Sequence, residues 1–192
     1  MVSLEERLDQ AERIIKTPAF RQNKGLGNEV GYYVFDYPAE KELAVRERIK
    51  YMKSKNSKAL DGFELVVFDL YDIVIDILVQ AGYMEQCIEF EKTKGLSRII
   101  QAIGNLMQID KKSGIIIRHI QENTPREAVI FLTGIGKCYP LMRSHHILNK
   151  LHQVINRVPV VLFYPGTYDG RELVLFSRIK DDNYYRAFRL ID

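Results

Sequence analysis

Two short apolar runs near the middle of the chain constrain its fold more than any other feature. The runs span residues 128–132 and 158–163, are rich in β-branched side chains, and flank a helix-length segment. Turns are predicted to end them, at residues 133–136 and 164–166. Continuous apolar strands are typical of parallel sheets, whose two faces are both covered by helices. The spacing therefore predicts a strand–helix–strand unit, with the carboxyl ends of both strands at one edge of the sheet.

Helix and strand patterns continue on both sides of this unit. Ser3 and Glu6 form a capping-box pair that predicts a helix from Leu4, with an apolar stripe reaching Ile15. Asp69 follows another apolar run and is placed to cap the helix after it. The remaining predicted elements are strands at 30–35 and 63–68, helices at 70–81, 84–92 and 96–107, a helix after Pro38 with a stripe of Val45, Ile49 and Met52, a basic loop at 53–58, and short edge strands at 173–176 and 184–190. A helix capped by Asp110 is predicted to run to about 121, although residues 114–117 also have strand character.

The alternation of strands and helices predicts an α/β protein. We expect a layered, mainly parallel β-sheet of about four to five strands, flanked by helices. The 192 residues are enough for one domain with a substantial core, and no repeat, low-complexity tract or linker divides them. The sequence therefore predicts a single domain spanning residues 1–192.

The composition argues against several classes of protein. A net charge of +3 without an arginine-rich tract is too small to indicate nucleic-acid binding. A nucleic-acid-binding subunit stays an alternative that only the lysines at 53–58 support. The longest apolar stretch, residues 65–79, is interrupted by three aspartates, so no membrane span is predicted. Cys87 and Cys138 form no C-x-x-C pair, and the chain starts without a signal-peptide pattern. We therefore expect reduced thiols in a cytoplasmic protein, with one disulfide left open as an alternative.

Candidate binding residues follow the strands of the central unit, because ligands of parallel sheets bind at the carboxyl edge. They are Lys137, Tyr139, Arg143, Ser144, His145, Tyr164 and Asp169. The tail adds three more, since aromatic side chains mixed with arginine are typical of protein interfaces; these are Tyr184, Tyr185 and Arg186. Arg143 is predicted in the first turn of a helix, where the dipole disfavours a cation. It therefore requires an acidic partner, which is Asp36, Asp69 or Asp169 of this chain or a carboxylate on another molecule.

The turn at residues 133–137 also invites a nucleotide-binding interpretation. Its glycines and Lys137 lie between a strand and a helix, where backbone amides can hold a phosphate. The full phosphate-loop pattern is absent, because Cys138 stands where a serine or threonine is required. The glycines could instead simply permit a tight turn. Nucleotide binding stays an alternative function.

Two helix faces carry residues that could ligate a metal, but neither predicts a metal site. Asp69, Asp72 and Asp76 share a face by their spacing, which a helix cap and the helix dipole explain more simply. His145 and His152 lack the second histidine at the i+4 position that helical zinc sites use. No nucleophile and base form a complete set either. We therefore expect no metal, no cofactor and no catalytic residue.

A set of motifs in the C-terminal half resembles one known family. They are FLTGIG at 131–136, YP at 139–140, RS at 143–144, Leu148, PVVLFYPG at 159–166, YDG at 168–170, LF at 175–176 and NYYRAF at 183–188, with FD at 35–36 and FDLY at 68–71 in the N-terminal half. In combination they resemble the BrxB family of bacteriophage exclusion (BREX) defence systems, over nearly the whole chain. The resemblance implies a component of that system with no established catalytic activity. It further implies a non-catalytic adaptor whose partner is a PglZ-like protein of the alkaline phosphatase superfamily.

Overall fold

The computed structural model describes residues 2–22, 31–109, 111, 114–181 and 187–191. The strands are β1 (Tyr32–Tyr37), β2 (Glu64–Asp69), β3 (Ala128–Thr133), β4 (Val160–Tyr168), β5 (Leu173–Leu175), β6 (Ile179–Asp181) and β7 (Phe188–Arg189). Five of them form a parallel sheet in the order β2–β3–β4–β1–β7. β5 and β6 extend the end of β4 in antiparallel pairing. The predicted α/β class with a mainly parallel sheet is confirmed.

Helices cover both faces of the sheet. They are α1 (Leu4–Ile15), α2 (Pro18–Arg21), α3 (Glu42–Lys55), α4 (Lys58–Asp61), α5 (Leu70–Gln80), α6 (Met84–Lys94), α7 (Leu96–Met107), α8 (Ile115–Glu122), α9 (Ile135–Cys138) and α10 (Ser144–Val154), with a 3-10 turn at Ala39–Lys41. The predicted capping box begins α1: the Ser3 hydroxyl accepts the Glu6 N–H at 3.1 Å, and the Glu6 carboxylate accepts the Ser3 N–H at 2.7 Å. Among the described helices, none is both long and apolar enough to cross a membrane.

Two apolar cores lie on opposite faces of the sheet. Even-numbered strand residues such as Ile130 and Leu162 belong to the core with α5, α8 and α10. Odd-numbered neighbours such as Phe131 and Phe163 belong to the core with α1 and α3. Successive strand residues point to opposite faces, so an uninterrupted apolar run serves both cores. Each of these large side chains stabilises the fold by roughly 1.5–3 kcal/mol on full burial.

The second apolar run extends further than predicted. The predicted turn at residues 164–166 is wrong, because β4 continues through it to Tyr168. β4 pairs with β1 as far as Pro165, and from Gly166 onward it pairs with β5. A Cβ at Gly166 would lie 2.1 Å from the carbonyl oxygen of Val174, so glycine lets β5 approach closely. Pairing with two neighbouring strands outweighs the local turn preference of Pro-Gly.

Three further predictions are corrected. The segment between β3 and β4 is not one helix but two, α9 and α10, separated by a stretch with a cis peptide before Pro140. The basic loop at 53–58 is mostly helical, and only Asn56 and Ser57 separate α3 from α4. The Asn56 side chain accepts the Leu65 N–H at 2.7 Å, which ties this junction to β2. The proposed cap Asp110 lies outside the described residues, and α8 begins at Ile115.

Candidate functional site

Several elements converge on Asp69 at the carboxyl edge of the sheet. Asp69 ends β2 opposite Thr133 of β3, and the Thr133 hydroxyl donates to Asp69 Oδ2 at 3.1 Å. Asp69 Oδ1 also accepts the N–H groups of Tyr71 and Asp72, at 3.1 and 3.2 Å. These bonds satisfy amides in the first turn of α5 that have no partner within the helix. The predicted helix cap is confirmed.

Lys137 of α9 completes this charged cluster. Its Nζ lies 2.9 Å from Asp69 Oδ2 and 2.9 Å from Asp72 Oδ1, and 5.1 Å from the centre of the Tyr71 ring. Burial alone would lower the pKa of Lys137, but hydrogen bonds to the two carboxylates outweigh burial and the pKa is raised. The lysine charge is thus compensated within the chain, and a phosphate would have to compete with both carboxylates.

Packing explains the glycines of the turn after β3. Gly134 has a φ of +79°, and a Cβ there would lie 2.3 Å from Asp69 Oδ1. A Cβ at Gly136 would lie 2.9 Å from Pro165 Cγ. Both positions therefore require glycine for close approach of the chain to itself. These contacts favour the tight-turn interpretation over the phosphate loop.

Four of the predicted binding residues line one small crevice at this edge: Tyr139, Arg143, Ser144 and Tyr164. Apolar side chains including Ile135 complete its wall. The enclosed volume is about 10 Å³, which is room for about one water molecule. Ser144 and Tyr164 are buried, so in this conformation they support the wall rather than offer a surface to a partner. The crevice is too small for a nucleotide.

Arg143 differs from its prediction. It does not lie in the first turn of a helix but precedes α10 in an extended conformation, and it is exposed. Asp36, one carboxylate predicted for it, instead binds Arg7 at 2.7 Å, while Asp69 binds Lys137. Within the described ranges, Arg143 makes no ion pair. Its exposed guanidinium is therefore available to another molecule.

The other predicted binding residues lie apart from the crevice lining. Asp169 is exposed and accepts the N–H groups of Arg171 and Glu172 at 2.8 and 2.7 Å; these bonds lower its pKa. The His145 ring lies 4.0 Å from the His146 ring at a near-perpendicular angle. Three predicted residues, Tyr184, Tyr185 and Arg186, lie outside the described residues. Their binding role stays a prediction.

The described residues near the crevice include no activated nucleophile. Cys138 is buried, and burial raises its pKa to about 12, with the charges of Asp69 and Asp72 adding to the rise and Lys137 opposing it. It therefore stays a protonated thiol at neutral pH. Both cysteines are free. In the part of the chain that the structure describes, no three His, Cys, Asp or Glu side chains are grouped as metal ligands.

One surface was not foreseen from the sequence. Besides Tyr71, which lies against Lys137, the helices α5 to α7 and their connections expose six large apolar side chains, each between 37% and 60% exposed. They are Val79, Tyr83, Ile88, Phe90, Leu96 and Leu106, and are called the apolar helix surface below. None of the residues of α6 is buried, although the helix was correctly predicted. The sequence does show apolar residues on these helices in addition to the stripe that packs against the rest of the protein. Only the tertiary packing shows which of them remain exposed to solvent.

Comparison with known proteins identifies the family. The family model described as "BREX protein BrxB" matches residues 66–190. A "BREX protein BrxB" of Bacillus cereus (strain H3081.97) is 46% identical over 100% of both chains. A second, of Escherichia coli O9:H4 (strain HS), is 34% identical over 98% of this chain and 92% of its own length. No solved structure shows significant similarity. The chain therefore belongs to the BrxB family of BREX proteins.

Proposed function

We propose that this BREX protein is a non-catalytic adaptor that works by binding another protein, and that its partner is the PglZ-like protein of the same system. The family places the chain among BREX proteins. The buried Cys138 thiol and the water-sized crevice support a role without chemistry of its own. Cytoplasmic location remains part of the same proposal.

The apolar helix surface is the observation that carries the proposal. Exposed apolar patches on a soluble domain commonly mark contact surfaces for other proteins. Charged and polar residues of α6 and α7, such as Glu85, Lys92 and Arg98, are exposed on the same helices. Protein interfaces combine exposed apolar side chains with charged and polar ones. The exposed Arg143 and the predicted tail residues supply further contacts in this proposal.

Substitution of two residues of the apolar helix surface tests the proposal. Ile88 and Leu96 are 47% and 60% exposed, so serine at both positions removes apolar contact area at little cost to the fold. Full burial of each side chain against a partner contributes about 1.5–3 kcal/mol, so the Kd should rise at least about tenfold. Affinity co-purification with the co-expressed PglZ-like protein, followed by a binding titration, measures the loss.

Leu43 and Leu60 provide the matched control. They are 72% and 89% exposed and lie on other helices, α3 and α4. The L43S/L60S variant removes the same chemistry elsewhere and should bind as the unsubstituted protein does. No association of the unsubstituted protein at micromolar concentration would defeat the proposal. So would an unchanged Kd for I88S/L96S.

A further inference from the structure

Three arginines line a cavity at the amino-terminal edge of the sheet, opposite the edge that holds Lys137. Arg21 is the last residue of α2, Arg126 shortly precedes β3, and Arg157 shortly precedes β4. They enclose a volume of about 240 Å³. This is roughly eight times the volume of one water molecule in the liquid, enough for a phosphate with an attached sugar.

The charge of this cavity is uncompensated. Glu127 is its single acidic lining residue, and its carboxylate is already 3.4 Å from the Lys58 ammonium. No carboxylate among the described residues pairs with Arg21, Arg126 or Arg157. Guanidinium groups stay protonated at every physiological pH. Three positive charges around one cavity repel each other, and a bound anion would relieve that repulsion.

Arg21 is held in position by its surroundings. Its guanidinium lies 5.5 Å from the centre of the Phe63 ring. Gly62 has a φ of +74°, and a Cβ there would lie 2.8 Å from Arg21 Nη1, so the guanidinium lies against the main chain. Arg21 Nε is buried and has no hydrogen-bond partner in the described part of the chain. A positioned and partly desolvated cation attracts an anion more strongly than a solvated one does.

We propose that this cavity binds a phosphomonoester, the terminal phosphate of a nucleotide or of a nucleic-acid strand. Guanidinium groups bind phosphate through paired N–H bonds, which favours arginine at such sites. A phosphomonoester carries a charge of about −1.5 to −2 at neutral pH, which offsets most of the positive charge of the three arginines. A backbone diester carries only one negative charge and matches the cavity less well. The inference is independent of the adaptor proposal, because it uses the opposite edge of the sheet and none of the apolar helix surface.

Fluorescence polarisation with the full chain tests the proposal. The probe is a ten-nucleotide single strand labelled at its 3′ end, prepared once with a 5′-phosphate and once with a 5′-hydroxyl. We expect the 5′-phosphate to lower the Kd at least about tenfold, through charge-assisted bonds that the hydroxyl cannot make. AMP and inorganic phosphate serve as competitors. If AMP binds more tightly than the phosphorylated strand, the ligand is a mononucleotide. If the strand binds more tightly than AMP, the ligand is a strand end. Either outcome supports the site.

Two exposed arginines elsewhere provide a control with the same change of charge. Arg126→Gln with Arg157→Gln should raise the Kd for the phosphorylated strand at least about tenfold. Arg171→Gln with Arg178→Gln, at exposed positions on the opposite edge, should change it less than about twofold. Circular dichroism checks that both variants are folded. Equal binding of the two strands, equal loss in the two variants, or no competition by AMP and phosphate in the unsubstituted protein would overturn the proposal.

Discussion

Lys137 Nζ and Asp69 Oδ2 lie 2.9 Å apart, and the two side chains are only 24% and 18% exposed. Asp69 ends β2, whereas Lys137 belongs to the helix that follows β3. Because Asp69 also caps α5 and accepts the Thr133 hydroxyl, one carboxylate joins four elements. The ion pair joins β2 to α9 at the carboxyl edge of the sheet.

We expect Asp69→Ala to lower the free energy of unfolding by about 2–4 kcal/mol. Loss of the helix cap costs about 1 kcal/mol, and loss of a hydrogen bond to a charged group costs about 1.5–3 kcal/mol. Asp72 contacts the same lysine but is 64% exposed, so Asp72→Ala should cost less than about 1 kcal/mol. Urea denaturation followed by circular dichroism measures both. Equal losses in the two variants would contradict this account.

A second carboxylate, Asp36, joins α1 to two strands. Its Oδ1 accepts Arg7 Nη2 at 2.7 Å, and its Oδ2 accepts the Tyr168 N–H at 3.0 Å. Asp36→Ala should lower the free energy of unfolding by about 2–3 kcal/mol, because the amide and the guanidinium both lose a charged acceptor. Asp9→Ala is the control, since Asp9 is 58% exposed where it pairs with Arg48. A loss no larger than that of the control in thermal and urea unfolding would refute this assignment.

Two glycine-to-alanine substitutions should have opposite effects. At Gly166 the new Cβ meets the Val174 carbonyl oxygen, a main-chain atom, so Gly166→Ala should destabilise the fold by about 1–3 kcal/mol. Gly104 lies within α7, and its nearest contact would be Leu141 Cδ1 at 3.9 Å. Gly104→Ala should therefore stabilise the fold by about 0.5–1 kcal/mol through helix propensity. Shifts of the urea midpoint in the same direction would contradict this prediction.

Stability should fall at alkaline pH because of Cys138. Its pKa is about 12 in the folded chain, against about 8.5 for a thiol in an unfolded chain. Below pH 8.5 both states keep the proton and the full contribution is present. Above pH 8.5 the unfolded state binds fewer protons, so stability is lost until the pH passes the folded pKa.

The free energy of unfolding in reducing buffer checks this expectation. Between pH 7.5 and pH 10, the unsubstituted protein should lose about 2 kcal/mol more than Cys138→Ala does. Buried tyrosines titrate alike in both proteins, so the difference isolates the thiol. Parallel pH profiles for the two proteins would show that Cys138 makes no such contribution.

Local structure was largely predictable from the sequence. The capping box at Ser3 and the cap at Asp69 were both predicted correctly, because a cap depends on residues three positions apart. The apolar stripe through Ile15 and the stripe of Val45, Ile49 and Met52 are buried as predicted. Helical periodicity selects these residues wherever the helix packs. The strands of the central unit followed from the same kind of local signal.

The candidate site was predictable only in part. Tyr139, Arg143, Ser144 and Tyr164 were expected at one edge because they follow neighbouring strands, and they line one crevice. The burial of Ser144 and Tyr164 was not predictable, because it depends on how β5 and β6 fold back over the end of β4. Residues 164–166 predict a turn, so the continuation of β4 through them was not predicted.

The sequence by itself determined most of the helices and strands, the α/β class and the family, because caps, periodicity and motifs act over a few neighbouring residues. Only the tertiary structure decided that β1 lies between β4 and β7, that Lys137 pairs with Asp69, and that Arg21, Arg126 and Arg157 surround one cavity. These relationships join residues that are distant in the chain. They arise only when both faces of the sheet are packed and each charged side chain meets the partner that packing leaves within reach.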